Sequence, residues 1–168
     1  MTNVGGRSVG GGHAGDKNSD SAAARKKAMD YLARREHGRV ELINKLTNSG
    51  FDLNSAETAV GQLIEDGLQS DERFIATFIQ SRINQGKGPV RIRAELRDRG
   101  LEDGLIADGL RAADAVWYAL VHEVREKKFG PERPAGFKEK ARQMRFLQYR
   151  GFEPDHIQAA VSVDTDSA

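Results

Sequence analysis

The sequence contains no cysteine, which excludes disulfide bridges, thiolate catalysis and thiolate metal sites. Aromatic residues make up only 7% of the chain and there are four prolines, a composition that favours helices over a β-sheet. No apolar run approaches the roughly 20 residues that a membrane-spanning helix needs. The glycine-rich start also has no apolar signal segment. These absences predict a cytoplasmic, helical protein that does not enter a membrane.

The net charge is only +1, although 30% of the residues are charged. The C-terminal end is acidic, so the middle of the chain has a modest excess of lysine and arginine. Such an excess permits contact with nucleic acid without requiring it. A hydrophobic content of 38% is low for one globule of 168 residues and favours an elongated arrangement of small units.

Apolar residues recur at helical spacing from about residue 23 to residue 163. Glycines, prolines and N-capping residues divide this stretch into nine predicted helices, at about 23–36, 40–49, 56–67, 70–84, 89–99, 101–113, 115–128, 137–149 and 154–163. The third helix is predicted to have Asn54 or Ser55 as its N-cap. Residues 1–22, rich in glycine and small polar residues, predict a disordered leader, and residues 164–168 a short acidic tail.

A repeat is visible at the ends of three helices, where Gly50, Gly100 and Gly151 follow one another at intervals of 50 and 51 residues. A leucine stands four residues before each glycine, and a large apolar residue follows each directly. Two further apolar columns, six and ten residues after the glycines, agree as well. The pattern predicts an all-α fold of three tandem three-helix repeats, at 23–69, 70–113 and 114–163. Stacked repeats are expected to form an elongated, curved rod, which suits an extended partner.

The helix that begins at Pro89 and ends before Gly100 is basic, with one apolar edge. Proline suits a first helical turn, and glycine suits the left-handed position beyond a helix end. Ile92 and Leu96 lie four residues apart and are predicted to be buried. The preceding loop, Gly86-Lys87-Gly88, is a candidate for binding a phosphate or carboxylate through free backbone N–H groups. The alternative is a flexible turn before the helix.

Lysine and arginine side chains supply the candidate partner surface. The arginines of the central helix, with cations of the third repeat, would form a basic band. An ordinary solvated face is the alternative, because acidic residues such as Glu95 and Glu139 are interleaved. The candidate residues for contact with a partner or a phosphate are Lys87, Arg91, Arg93, Arg97, Arg99, Lys127, Lys128, Arg142, Arg145 and Arg150.

No pattern indicates catalysis. The four histidines, His13, His37, His122 and His156, show no metal-ligand spacing. There is no nucleophile elbow and no phosphate loop of a nucleotide-binding fold. We therefore expect no catalytic residue, no cofactor and no metal site. Trp117 stands at an apolar position of its helix and is predicted to lie in the core.

Three groups of motifs occur in order along the chain. The first is Tyr31-Leu32-Ala33-Arg34-Arg35-Glu36-His37-Gly38-Arg39-Val40-Glu41-Leu42. The second is Gly67-Leu68, Asp71, Arg73-Phe74, Gly88-Pro89, Arg91-Ile92 and Glu95-Leu96. The third is Trp117, Lys128-Phe129-Gly130, Leu147 and Arg150-Gly151-Phe152. Over about residues 25–161 these motifs resemble the RecX family of regulatory proteins, which modulate the RecA recombinase. Gly38 replaces the serine that we expect there in the family.

The resemblance implies a non-enzymatic, cytoplasmic protein, expected to be a monomer, that binds the helical RecA–DNA filament. It would lie in the filament groove across neighbouring subunits and inhibit ATPase, strand-exchange and coprotease activities, thereby restraining DNA repair by recombination and the SOS response. The family has no catalytic residues to carry over. The residues alone leave an alternative open: a sequence-independent nucleic-acid-binding protein whose cations contact the phosphates of single- or double-stranded DNA.

Overall fold

The computed structural model describes the backbone of residues 14–162 and the side chains of residues 20–114 and 116–162. This part of the chain is helical, without strands, which confirms the predicted all-α class. Its α-helices are α1 (Ala14–Arg34), α2 (Arg39–Asn48), α3 (Leu53–Glu65), α4 (Asp71–Asn84), α5 (Pro89–Asp98), α6 (Asp103–Ala112), α7 (Trp117–Phe129), α8 (Phe137–Tyr149) and α9 (Pro154–Val161). A short 3-10 turn, Asp114–Val116, precedes α7. The three predicted repeats correspond to α1–α3, α4–α6 and α7–α9.

Helix α1 begins at Ala14, nine residues before the predicted start near Ala23. The prediction treated residues 14–22 as leader because they offer almost nothing to bury. Extending an existing helix needs no new nucleus, however, and these residues contain no proline that would stop it. The remainder of the predicted leader, 1–13, and the predicted acidic tail, 164–168, lie outside the described residues.

The start of α3 also differs from the prediction, because its N-cap is Asp52 rather than Asn54 or Ser55. The Asp52 carboxylate accepts the backbone N–H of Ser55 at 2.8 Å and the Ser55 hydroxyl at 2.9 Å. The backbone hydrogen bond from Ser55 is the main reason why the pKa of Asp52 lies below its ordinary value. An ionised aspartate at the N-cap also suits the positive end of the helix dipole.

The contacts divide the described chain into two compact units. The first consists of residues up to Arg35 together with Leu42–Gln69. Its core combines small and large apolar side chains of α1, α2 and α3: Ala24, Ala28, Leu42, Ile43, Leu46, Ala56, Ala59, Val60 and Leu63. The alanines of α1 and α3 permit close packing of these two helices. Ile64 of α3 lies outside this core and is 40% exposed.

The second unit consists of Glu36–Glu41 and the chain from Ser70 onward. One apolar core runs through α4–α9, and its largest member is Trp117, which is 1% exposed and confirms the predicted core position. Ile92 and Leu96 of α5 are fully buried in the same core. The second and third repeats therefore share one core in this unit.

Helix ends contact helix starts within the second unit. Gly100 and Gly151 both have positive φ angles, as predicted for Gly100. A Cβ atom on Gly100 would lie 3.1–3.2 Å from the Val40 side chain, and one on Gly151 would overlap the Arg91 backbone. Only glycine fits Gly151, both for its backbone angle and for the neighbouring helix. The start of α5 thus lies directly against the end of α8.

Candidate partner-binding surface

The loop before α5 has no free backbone donor for an anion. The N–H groups of Gly86 and Lys87 donate to carbonyl oxygens in the last turn of α4, at 2.9 and 3.0 Å. Those of Gly88 and Val90 donate to carbonyl oxygens at the end of α8, at 2.8 and 2.9 Å, and Pro89 has no N–H. The interpretation of this loop as an anion-binding turn is therefore wrong. Its glycines serve helix packing, because a Cβ atom on Gly88 would overlap the backbone of Gly151.

Glu95 of α5 binds three cations. Its carboxylate accepts hydrogen bonds from Arg82 at 2.8 Å and from Lys87 at 3.3 Å, and the Arg91 guanidinium lies 3.8 Å away. Burial by itself would raise the pKa of Glu95, but the hydrogen bonds from Arg82 and Lys87 outweigh it, so the pKa lies below its ordinary value. Arg82 was missed by the sequence reasoning, since its position on another helix gave no spacing signal.

The other predicted cations of α5 also have partners in the fold. Arg93 lies 3.7 Å from the Glu153 carboxylate, and Arg97 lies 2.7 Å from Asp103. The Arg99 guanidinium covers the ring of Phe78, 4.8 Å from its centroid. Each of these three arginines therefore has a contact within its own chain.

The cations of α7 and α8 are bound differently. Arg142 pairs with Glu139 at 3.0 Å, and this hydrogen bond lowers the pKa of Glu139. Lys127, Lys128 and Arg145 are exposed and have no carboxylate partner among residues 20–114 and 116–162. Of the predicted site residues in the described part of the chain, these three combine an exposed side chain with the lack of a carboxylate partner.

Two of the predicted cations contact the same aromatic ring. The Lys128 ammonium lies 5.7 Å from the centroid of the Phe146 ring, and the Arg150 guanidinium lies 5.6 Å from the same centroid. Arg150 also donates to the Gln85 carbonyl at 3.4 Å, while its Nε has no hydrogen-bond partner within the described chain. Both cations are thus held by rings and carbonyl groups rather than by carboxylates.

A surface groove runs between the end of α4 and one side of α7. Two adjoining cavities of about 420 and 410 Å³ form it and share Ile83, Asn84, Leu120 and Glu123. The residues that mark its cationic end are Lys127, Lys128, Phe146 and Arg150. The other end is lined by Val116 and Ala119. We refer to this feature as the α4–α7 groove.

Arg125, which the sequence reasoning did not select, fixes the connector between α7 and α8. Its side chain is 2% exposed and donates to the carbonyl oxygens of Glu132 and Pro131, at 3.1 and 3.4 Å. The guanidinium also lies at the 3.5 Å limit of a hydrogen bond to the buried Gln143 side chain. A buried arginine needs several acceptors of this kind. Residue order alone gives no signal that distinguishes it from the exposed basic residues nearby.

Two of the described histidines, His37 and His156, have local partners. His37 is buried with its Nε2 atom 3.5 Å from Glu41, and His156 Nδ1 accepts the backbone N–H of Glu153 at 3.3 Å. Among the described residues, histidine, aspartate and glutamate side chains form no group of three or more that is able to hold a metal ion. In the same part of the chain, no helix combines the length and the apolar character that crossing a membrane requires.

Comparison with protein families gives three consecutive matches. Residues 24–63 match the first three-helix domain of RecX, residues 70–110 the second and residues 116–161 the third. The protein named regulatory protein RecX in Pseudomonas entomophila (strain L48) is 47% identical over 135 residues, which cover 80% of this chain and 87% of that protein. Its namesake in Halorhodospira halophila (strain DSM 244 / SL1) is 44% identical over 142 residues, covering 84% and 88%.

Solved structures show the same fold. The crystal structure of RecX from Lactobacillus salivarius superposes with a TM-score of 0.75 at 20% identity, covering 86% of this chain and 96% of that one. A crystal structure titled regulatory protein RecX gives a TM-score of 0.74 at 21% identity, covering 86% and 73%. The three domain matches confirm the predicted order of three-helix repeats. The chain therefore belongs to the RecX family of regulatory proteins.

Proposed function

We propose that this protein binds the filament that the RecA recombinase forms on DNA and lowers its ATPase, strand-exchange and coprotease activities. Membership of a family whose members are named regulatory proteins supports a regulatory role. On this proposal the protein works in the cytoplasm, as a monomer and without catalysis of its own. Its effect on recombination, repair and the SOS response would follow from binding alone.

The observation that carries the proposal is the set of unpaired cations on α7 and α8. Lys127, Lys128 and Arg145 are exposed without a carboxylate partner in the described chain. Cations of this kind attract an acidic surface and accelerate encounter with it. The paired arginines of α5 remain candidates, but each would first have to exchange its present carboxylate for one of the partner. We therefore rank the third repeat above the second as the contact surface.

Binding across neighbouring recombinase subunits would alter the filament by selecting one of its states. A ligand shifts an equilibrium only by the difference between its affinities for the two states. A protein that fits the inactive arrangement of adjacent subunits better than the active one would thus slow ATP hydrolysis. Binding at the growing end would lower activity by stopping extension. No chemistry on the nucleotide is needed in either case.

The direct test is RecA ATP hydrolysis on single-stranded DNA with the purified protein at substoichiometric dose. The proposal predicts a lower steady-state rate, with strong inhibition at low dose indicating a block to growth. Inhibition that rises only as the protein approaches the amount of recombinase would indicate occupancy along the groove. An unchanged rate, at doses where the two proteins are present in equal amounts, would refute the proposed function.

A second function, sequence-independent DNA binding, is favoured by one feature of α8. Tyr149 is 74% exposed, one helical turn after the unpaired Arg145, and the Arg91 guanidinium lies 5.5 Å from its ring centroid. Exposed aromatic rings beside cations stack on unpaired bases. Affinity for a thymidine oligonucleotide without recombinase, falling steeply with salt, would support this function. Tyr149→Ala should then weaken oligonucleotide binding more than it weakens ATPase inhibition.

A further inference from the structure

The α4–α7 groove combines a cationic end with an apolar floor. Ile83 is partly buried and Leu120 is nearly buried, and both contribute apolar surface to its two cavities. Val116, at the far end, is 39% exposed. A face of this composition gains free energy when apolar groups of another molecule cover it.

The charges in the groove are arranged unevenly. Lys127, Lys128 and Arg150 line one end, and the only acidic side chain among the described lining residues, Glu123, lies in the shared middle part. Lys128 and Arg150 both lie against the Phe146 ring without a carboxylate between them. The like charges of Lys128 and Arg150 repel each other beside this ring, and an anion next to them would relieve that repulsion.

We propose that the α4–α7 groove docks a short segment of the protein partner in which a carboxylate side chain adjoins apolar ones. The carboxylate would lie between Lys127, Lys128 and Arg150, and the apolar side chains would lie over Leu120 and Val116. Glu123 would repel an acid in the middle, so the carboxylate belongs at the cationic end of the groove. The inference rests on the proposed function only for the identity of the partner.

The dimensions suit a peptide. From Val116 to Lys127 the chain rises roughly 16 Å at about 1.5 Å per residue, which matches about five residues of an extended strand. A single-stranded nucleic acid fits less well, since the stacking of its unpaired bases needs an open aromatic face. The Phe146 ring is already contacted by two cations and by the edge of Phe129, 5.3 Å away between centroids. The apolar surface of the groove and the occupied Phe146 ring together favour an acidic peptide over DNA.

The first experiment measures fluorescence anisotropy of a labelled peptide with two glutamates followed by leucine and phenylalanine, against one with glutamines in place of the glutamates. We expect the acidic peptide to bind and Lys127→Glu or Lys128→Glu to weaken it about tenfold, as for loss of a charge-assisted contact. Glu123→Gln should tighten it. Lys138→Glu is the matched control: Lys138 is exposed on α8 and does not line the groove. Equal binding of both peptides, or equal binding to wild type and Lys127→Glu, would overturn the inference.

The second experiment repeats the RecA ATPase assay with the same variants, after circular dichroism has shown that they are folded. The dose for half inhibition should rise about tenfold for Lys127→Glu and Lys128→Glu and stay unchanged for Lys138→Glu. Lost peptide binding with undiminished inhibition would overturn the groove as the partner's docking place. Full displacement of the peptide by a thymidine oligonucleotide would assign the groove to DNA instead. A wild-type protein that does not inhibit would refute the proposed function, while the peptide titration would still decide the groove.

Discussion

Helix α5 and the neighbouring pair α7–α8 both carry many cations, but the fold uses these cations differently. On α5, Arg91 and Arg97 lie close to carboxylates of their own chain. On α7 and α8, Lys127, Lys128 and Arg145 are exposed without such a partner in the described residues. The number of lysines and arginines in a segment of the sequence therefore does not tell how many of them are available to a partner. On the proposed function, α7–α8 rank above α5 as the surface that contacts the partner.

The largest effect is expected from removing a core side chain of α5. Leu96 is fully buried, and Leu96→Ala should lower the free energy of unfolding by about 2–5 kcal/mol through loss of burial and the cavity left behind. Tyr149→Ala on α8 is the comparison, since that side chain is 74% exposed and should change stability by no more than about 0.5 kcal/mol. Urea denaturation measures both. Similar midpoints for the two variants would break the division between scaffold and surface.

The contact between the end of α8 and the start of α5 can be tested through its glycine. Gly151→Ala should cost about 2–4 kcal/mol, because both a positive φ and the Arg91 backbone oppose a Cβ atom. Gly50→Ala should lower the free energy of unfolding by only about 1–2 kcal/mol, because the positive φ angle alone opposes it and no atom lies within 4 Å of the added carbon. Thermal unfolding of the two variants compares them. Equal losses would mean that the close approach of the two helices contributes nothing.

The contacts of Glu95 with three cations predict that part of the free energy of unfolding is lost at acid pH. The pKa of Glu95 is depressed in the fold, so its contribution is complete above the ordinary value of 4.5 and is lost as the pH falls through the folded pKa. Glu95→Gln should cost about 1–2 kcal/mol at neutral pH through the weakened hydrogen bonds to Arg82 and Lys87. Below pH 4.5 the variant and the wild type should converge. A constant difference across this range, in denaturation at stepped pH, would contradict the ion-pair assignment.

The fold was predictable to a large extent because it depends on patterns that recur in the sequence. Apolar periodicity located the helices, and the columns around Gly50, Gly100 and Gly151 predicted three repeats. Helix starts were less certain, as with the N-cap Asp52, because several capping residues stood side by side. The function of the loop Gly86-Lys87-Gly88 was misjudged, since the N–H groups of Gly86 and Lys87 bond to carbonyls of α4 and that of Gly88 bonds to the Arg150 carbonyl at the end of α8, more than 60 residues away.

The candidate surface was predictable only as a list of cations. Which of them are paired depends on contacts between helices that are distant in sequence, such as Arg93 with Glu153. Burial of Arg125 and the two cations at the Phe146 ring have the same origin. No residue spacing could separate Arg97, bound to Asp103, from the unpaired Arg145. Only the contacts in the folded structure distinguish the paired cations from the unpaired ones.

The central claim is tested most directly by the dose that half-inhibits RecA ATP hydrolysis, measured for Arg145→Glu and Arg97→Glu side by side. Each variant reverses one exposed arginine of the second unit, and each should change the free energy of unfolding by less than about 1 kcal/mol. The account predicts a several-fold higher dose for Arg145→Glu and a dose close to wild type for Arg97→Glu. A larger loss of inhibition with Arg97→Glu than with Arg145→Glu would contradict it.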